Sequence, residues 1–295
     1  MSSIAQDFAR AGCRGWLHVR EVDGAGEVEL DSDEPVVAAS VFKVLVALEF
    51  FRQVDAGRLN PVERVDLRAG GSTPGPTGFS TFADDVSVSL RDLARMMLVV
   101  SDNAATDILL DRVGLPAVEA TVAELGLTGT VITGSLQELL DSIGGDLGFA
   151  GWRDLQEADD PEVVAGLQRR LATVNAFVPE QTTRTTARDM TALLRLIWRD
   201  EAGPAQACAQ VRRLMAAQVT RHRLAAGFPA EVRVSAKSGS LLGVVRNEIG
   251  VLEYPDGARY AAAVFTRADE PHRNDSEINA AIGTAAARGV RLLRD

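Results

Sequence analysis

Lysine is almost missing from this chain. Of its 31 basic residues only Lys43 and Lys237 are lysine, and the other 29 are arginine. Cysteine and histidine are nearly as scarce: Cys13 and Cys208, then His18, His222 and His272, scattered along 295 residues. Two distant cysteines make no disulfide framework, and isolated histidines make neither a metal cluster nor a histidine-centred triad. No metal or organic cofactor is therefore expected. No stretch approaches the roughly 18 apolar residues of a membrane-spanning helix. Basic runs are also absent, and 31 basic against 41 acidic residues leave a net charge of −10. Nucleic acid and anionic membrane are unfavourable partners for such a surface. Met1 to Arg10 contains Asp7 and Arg10 and no long apolar core, so no signal peptide is visible and a cytoplasmic location is expected.

What is present is ordinary for a globular protein with a sizeable core: 46% hydrophobic and 24% charged residues. Gly15 to Val22 and Gly26 to Leu30 read as strands around an Asp23-Gly24 hairpin signal. Ser40 to Gln53 is rich in helix formers. Ser89 with Asp92, and Thr186 with Asp189, look like caps of amphipathic helices. Ala104 to Val113 forms a shorter helix stopped by Gly114. Strand patterns return at Val232 to Ser235, Glu248 to Tyr254 and Arg259 to Thr266. A final helix is capped by Asn274 or Asp275.

Strands at both ends and helices between them predict an α/β (α+β) fold. The N- and C-terminal strands join in one antiparallel sheet flanked by helices (residues 1–37 and 213–295). An all-helical lobe (38–212) lies beside it, with the functional site at their interface. The segment 144–179, with its acidic stretch Glu157 to Glu162, is expected to be irregular.

The two lysines give the first chemical clue. Arginine stays protonated under all working conditions, whereas a buried lysine can lose its proton and act as a base. Lys43 stands in Ser40-Val41-Phe42-Lys43. At a helix start, positions i and i+3 share a face, so Lys43 can reach the Ser40 hydroxyl, and the unpaired N–H groups there suit an oxyanion. Ser101-Asp102-Asn103 lies between two helices, where a hydroxyl and an amide can meet a substrate. By itself it is as well explained as a polar capping turn. Lys237-Ser238-Gly239-Ser240 follows a strand; Gly239 permits close approach, Lys237 and Ser238 offer a cation and a hydroxyl to a carboxylate, and Ser240 N–H is a second oxyanion donor. Arg246 is near enough to serve the same carboxylate. A flexible turn is the bland alternative.

Taken together, Ser-x-x-Lys, Ser-Asp-Asn and Lys-Ser-Gly follow the ordered Ser-x-x-Lys, Ser-Asp-Asn, Lys-Thr-Gly set of class A β-lactamases and penicillin-binding proteins. The chain resembles that superfamily, and class A most, from about Gly15 to the C-terminus. The V-S-L-R-D-L-A-R-M-M lead into Ser101 and the T-T-A-R-D-M stretch at Thr185 add to the resemblance. Both lysines fall inside its motifs.

The resemblance implies a role for each residue. Ser40 is the acylated nucleophile, Lys43 its base, and Ser101 the proton shuttle to the leaving nitrogen. Asn103 orients the substrate amide. Lys237, Ser238, Gly239 and Arg246 line the carboxylate site, and the N–H groups of Ser40 and Ser240 form the oxyanion hole. The implied partner is a small amide or ester, a β-lactam first, with no cofactor.

One family feature is missing. Class A enzymes hydrolyse the acyl-enzyme with the glutamate of a Glu-x-x-Leu-Asn motif. Here Asn175 is preceded by Leu171-Ala172-Thr173-Val174. Glu157, Glu162 and Glu180 are the nearest carboxylates and lack that context. Ser238 replaces the usual threonine and keeps the hydroxyl. Trp16, Trp152 and Trp198 read as core or interface residues, Cys13 and Cys208 as buried fillers, and Arg221 to Arg223, with His222, as solvated surface.

Overall fold

A computed structural model describes residues 2–157, 170–171, 173–272 and 274–295. Helix α1 (Ser2–Arg10) leads into the hairpin β1 (Cys13–Glu21) and β2 (Glu27–Leu30). The short strand β3 (Val36–Val37) and a 3-10 turn, Ala39–Phe42, feed α2 (Lys43–Asp55). Strands β4 (Arg64–Leu67) and β5 (Val86–Ser89) form a separate two-stranded ribbon. Helices α3 (Leu90–Val99), α4 (Asn103–Val113), α5 (Leu115–Glu124), α6 (Leu136–Asp146) and α7 (Trp152–Gln156) follow. After β6 (Arg184–Thr185) come α8 (Ala187–Trp198) and α9 (Ala205–Ala216). Strands β7 (Arg233–Leu241), β8 (Val245–Glu253) and β9 (Arg259–Ala268) and helix α10 (Asp275–Arg294) complete the chain.

The five main strands form one antiparallel sheet in the order β2-β1-β9-β8-β7. The sequence-distant N- and C-terminal strands therefore pair, as the strand distribution predicts. Successive side chains of a strand face opposite sides. In β9, Ala262 and Val264 pack against Ile278, Ile282 and Val290 of α10 and Phe8 of α1. Ala261, Ala263 and Phe265 pack the other way, on the core containing α2 and α8. Both faces are covered, so β8 and β9 are buried along nearly their whole length, and β8 carries Arg246, Asn247 and Glu248 among its buried residues.

Helix α2 is the centre of the larger core. It is buried almost all round, and Leu45, Leu48 and Phe50 lose all exposure. Burial of each such side chain stabilises by about 1.5–3 kcal/mol. The expected caps are present: Ser89 accepts from Asp92 N–H and Thr186 from Asp189 N–H. Gly114 ends α4 at φ +86°. Asn274 precedes α10 in a left-handed conformation but its side chain makes no capping hydrogen bond. The helical part also carries the β4–β5 ribbon, and β3 pairs with β6.

Within 144–179, the segment expected to be irregular, α6 continues to Asp146, α7 follows, and Asn175–Phe177 forms a 3-10 turn. Glu162 lies outside the described residues. Trp16 and Trp198 are buried in the main core, Trp152 packs on a smaller cluster around Phe177, and both cysteines are free and buried. No helix among the described residues is long and apolar enough to cross a membrane.

Candidate active site

Ser40 is half-buried on the 3-10 turn that opens α2. Ala39 before it has φ +45°, a left-handed conformation that costs a non-glycine residue about 1–3 kcal/mol. The chain around it is tied down. Asn247 of β8 donates through Nδ2 to Val37 O at 2.9 Å and Ala38 O at 3.2 Å, and Ala38 N–H donates to Thr183 O at 3.0 Å. Strand β7 then passes directly over Ser40: a Cβ at Gly239 would lie 3.1 Å from Ser40 N and 3.2 Å from Ala38 O. A side chain here would crowd that approach.

Lys43 begins α2 and has no exposure. Its Nζ donates to Ser101 O at 2.8 Å, Asn103 Oδ1 at 3.0 Å and Ser101 Oγ at 3.4 Å. Burial lowers its pKa from 10.5 to about 7, against the opposing pull of Asp102 and Asp107. Ser40 Oγ has no hydrogen-bond partner among the described residues, so the expected direct Lys43–Ser40 hydrogen bond is not made.

Ser101 joins α3 to α4 with φ +63°. Asp102 holds it there. The buried carboxylate caps α4 by accepting Ala105 N–H at 3.2 Å and anchors the 3-10 turn Gly78–Thr81 by accepting Phe79 N–H at 2.6 Å. Asn103 Nδ2 donates to Pro74 O at 2.9 Å. Lys237, also without exposure, donates to Ser101 Oγ at 2.9 Å and to Ser238 O at 2.6 Å. Burial first, and then the nearby Lys43 charge, push its pKa well below 10.5.

Lys237-Ser238-Gly239-Ser240 lies inside β7, where a turn was the bland expectation. Pairing with β8 runs through the motif, from Lys237 opposite Ile249 to Ser240 opposite Arg246. β7 is an edge strand, and Ser238 N–H donates to Gln218 Oε1 at 2.5 Å and not to a strand. Alternation then puts Ser240 N–H on that same free edge.

Arg246 is not brought to this group. It turns instead to the β7–β8 turn, where it donates to Gly243 O at 2.8 Å and pairs with Asp275 at the start of α10. The guanidinium beside the motif belongs to Arg223, which sequence reasoning assigned to solvated surface. Arg221 and His222 are exposed, but Arg223 is buried. It donates to Gly239 O and Asn247 O, each at 2.8 Å, to Ser240 Oγ at 2.7 Å and to Asn279 Oδ1 at 2.8 Å. Among 29 arginines nothing local marks this one; only the packing of α10 and β7 around it does.

The group of metal-type ligands His18, Glu27 and Glu29 encloses the Arg188 guanidinium, which pairs with both glutamates and with Asp33. Around Lys43 the described carboxylates that shift its proton affinity are Asp102 and Asp107. Asp107 accepts the N–H groups of Leu136 and Gln137 at the start of α6. Glu157 and Glu180 are exposed.

The geometry joins a hydroxyl, a lysine of lowered pKa, a bridging hydroxyl and free backbone donors. Such a set suits acyl transfer. The chain is 30% identical over 297 residues to the β-lactamase regulatory protein BlaB of Streptomyces cacaoi, covering 96% of this chain and 94% of that protein. The β-lactamase from Sphaerobacter thermophilus DSM 20745 has the same fold, with a TM-score of 0.77 at 24% identity over 99% of this chain and 98% of that one. PBP-A gives a TM-score of 0.76 at 22% identity over 100% and 96%, and a PBP-A variant has been solved as an acyl-enzyme complex with penicillin G. The model of the β-lactamase enzyme family, Beta-lactamase2, matches residues 1–291, and the chain belongs to that family.

Proposed function

We propose that this protein is a β-lactamase-like serine hydrolase that takes an acyl group from an amide or ester onto Ser40, with a β-lactam as the leading substrate. The carrying observation is the meeting of Lys43 and Lys237 at the Ser101 hydroxyl. A lysine with a pKa of about 7 is partly neutral at physiological pH and can accept a proton.

In the proposed sequence, Lys43 Nζ moves onto Ser40 Oγ and takes its proton as Oγ bonds to the acyl carbon. The carbonyl electron pair goes to oxygen, which the N–H groups of Ser40 and Ser240 receive. As the C–N bond breaks, Ser101 gives its proton to the leaving nitrogen and is reprotonated by Lys43. Asn103 orients the substrate amide. Lys237, Ser238 and Thr220, whose hydroxyl lies 3.4 Å from Ser238 Oγ, face the substrate carboxylate. Arg246 is left out of this account.

A second reading is a protein that is acylated and then holds the adduct. It is supported by Leu171 standing four residues before Asn175, where the deacylating motif has glutamate, and by the regulatory relative. A chromogenic cephalosporin separates the two. Continued colour with little adduct in the intact mass supports hydrolysis, and one equivalent of colour with a lasting adduct supports capture. Neither colour nor adduct rejects the β-lactam as substrate.

A further inference from the structure

The free edge of β7 rests on a buried polar chain that the steps above do not use. Ser238 N–H donates to Gln218 Oε1 at 2.5 Å, and Gln218 Nε2 donates to Glu248 Oε1 at 2.9 Å and Thr220 O at 3.2 Å. Leu224 N–H donates to Glu248 Oε2 at 2.6 Å. Glu248 has no exposure and Gln218 only 4%. In the β7–β8 register Glu248 stands opposite Ser238.

A glutamine amide can turn either its oxygen or its nitrogen towards a neighbour, but an ionised carboxylate only accepts. Facing Glu248, Gln218 must point Nε2 at the carboxylate. That leaves Oε1 for Ser238 N–H. We propose that Gln218 and Glu248 are positioning residues: the Glu248 carboxylate fixes the orientation of the Gln218 amide, and that amide holds Ser238 so that Lys237 and Ser240 N–H face Ser40. The inference rests on the acyl-Ser40 reading for its effect on rate, though not for its effect on β7. Burial raises the proton affinity of the Glu248 carboxyl, and the charges of Arg223 and Lys237 and the hydrogen bonds from Leu224 and Gln218 pull against that rise. Lys237 is lowered by burial first, then by the Lys43 charge, with Glu248 opposing that fall and Arg223 adding to it.

The test compares the wild-type protein with Glu248→Gln and with the Gln218→Glu/Glu248→Gln double variant. The double variant restores the Ser238 and Leu224 contacts while giving up the donor to Thr220 O: a carboxylate at 218 accepts Ser238 N–H, and an amide at 248 donates to it while accepting Leu224 N–H. The second-order rate of acylation by a chromogenic cephalosporin should fall about 10-fold or more in Glu248→Gln, the scale of a lost hydrogen bond to a charged group. The double variant should recover most of that loss. A merely structural role would not produce this recovery. In parallel, amide hydrogen exchange of the 236–241 segment in the unliganded proteins should speed up in Glu248→Gln and slow again in the double variant. If Glu248→Gln fails to fold, Gln218→Met takes its place in both measurements and should show the same loss. Unchanged exchange overturns the proposal whether or not the protein reacts with a cephalosporin. Unchanged acylation in the single variant, or no recovery in a folded double variant, overturns it equally. A wild-type protein that takes no acyl group, but whose exchange responds as expected, leaves the positioning role standing and removes the reading of Ser40.

Discussion

Lys237 Nζ lies 2.9 Å from Ser101 Oγ, and Lys43 Nζ approaches the same oxygen at 3.4 Å. Two buried amines thus share one hydroxyl acceptor. Each ammonium disfavours the charged form of the other, and burial acts in the same direction. On the acyl-Ser40 reading, Lys43 has a task that arginine could not fill. A guanidinium cannot give up its proton under working conditions.

Lys43→Arg should therefore abolish acylation even though charge is retained. A positioned general base contributes about 10²–10⁴-fold. Stopped-flow measurement with a chromogenic cephalosporin checks this, and a variant within a few-fold of wild type would contradict a proton-accepting lysine.

Acylation should rise with pH and level off above about 7, because Lys43 must be neutral to act. Stability follows with a definite sign. Between about pH 7 and its ordinary 10.5 this group holds fewer protons folded than unfolded, so its contribution to stability rises with pH across that window and is flat below it. The slope is at most about 1.4 kcal/mol per pH unit. Urea denaturation of wild type and Lys43→Met at pH 7 and pH 9 tests it: the wild type should gain on the variant at the higher pH.

Gly239→Val should impair the site through packing. The added Cβ would meet Ser40 N at 3.1 Å and Ala38 O at 3.2 Å, and both are backbone atoms of a turn pinned by Asn247. Overpacking of this kind costs about 1–3 kcal/mol. A lower melting temperature is expected, together with loss of most acylation. Unchanged kinetics would mean that β7 does not approach Ser40 in solution.

Much of this was legible in the sequence because it is local or periodic. The three motifs, the caps at Ser89 and Thr186, and the apolar strands at both ends are read within a few residues. What was missed depends on long-range register. Lys237 to Ser240 has turn-like composition, yet pairing with β8 keeps it extended and the passage over Ser40 explains its glycine. Arg246 and Arg223 are indistinguishable by composition. Only the sheet and α10 decide that the first pairs with Asp275 and the second with β7. The left-handed conformations of Ala39 and Ser101 left no trace in residue type either.

Leu171→Glu should accelerate loss of an acyl group, since it places a carboxylate four residues before Asn175. Turnover of the cephalosporin should increase while the rate of adduct formation changes little. The same turnover in both proteins would show that deacylation here does not depend on that position.

The most direct test of the account is to expose the protein briefly to penicillin G, quench, digest and locate the adduct by peptide mass. The account predicts a single acyl adduct on Ser40, absent in Ser40→Ala and strongly reduced in Ser101→Ala. An adduct on any other residue, or an adduct that persists in Ser40→Ala, would contradict it.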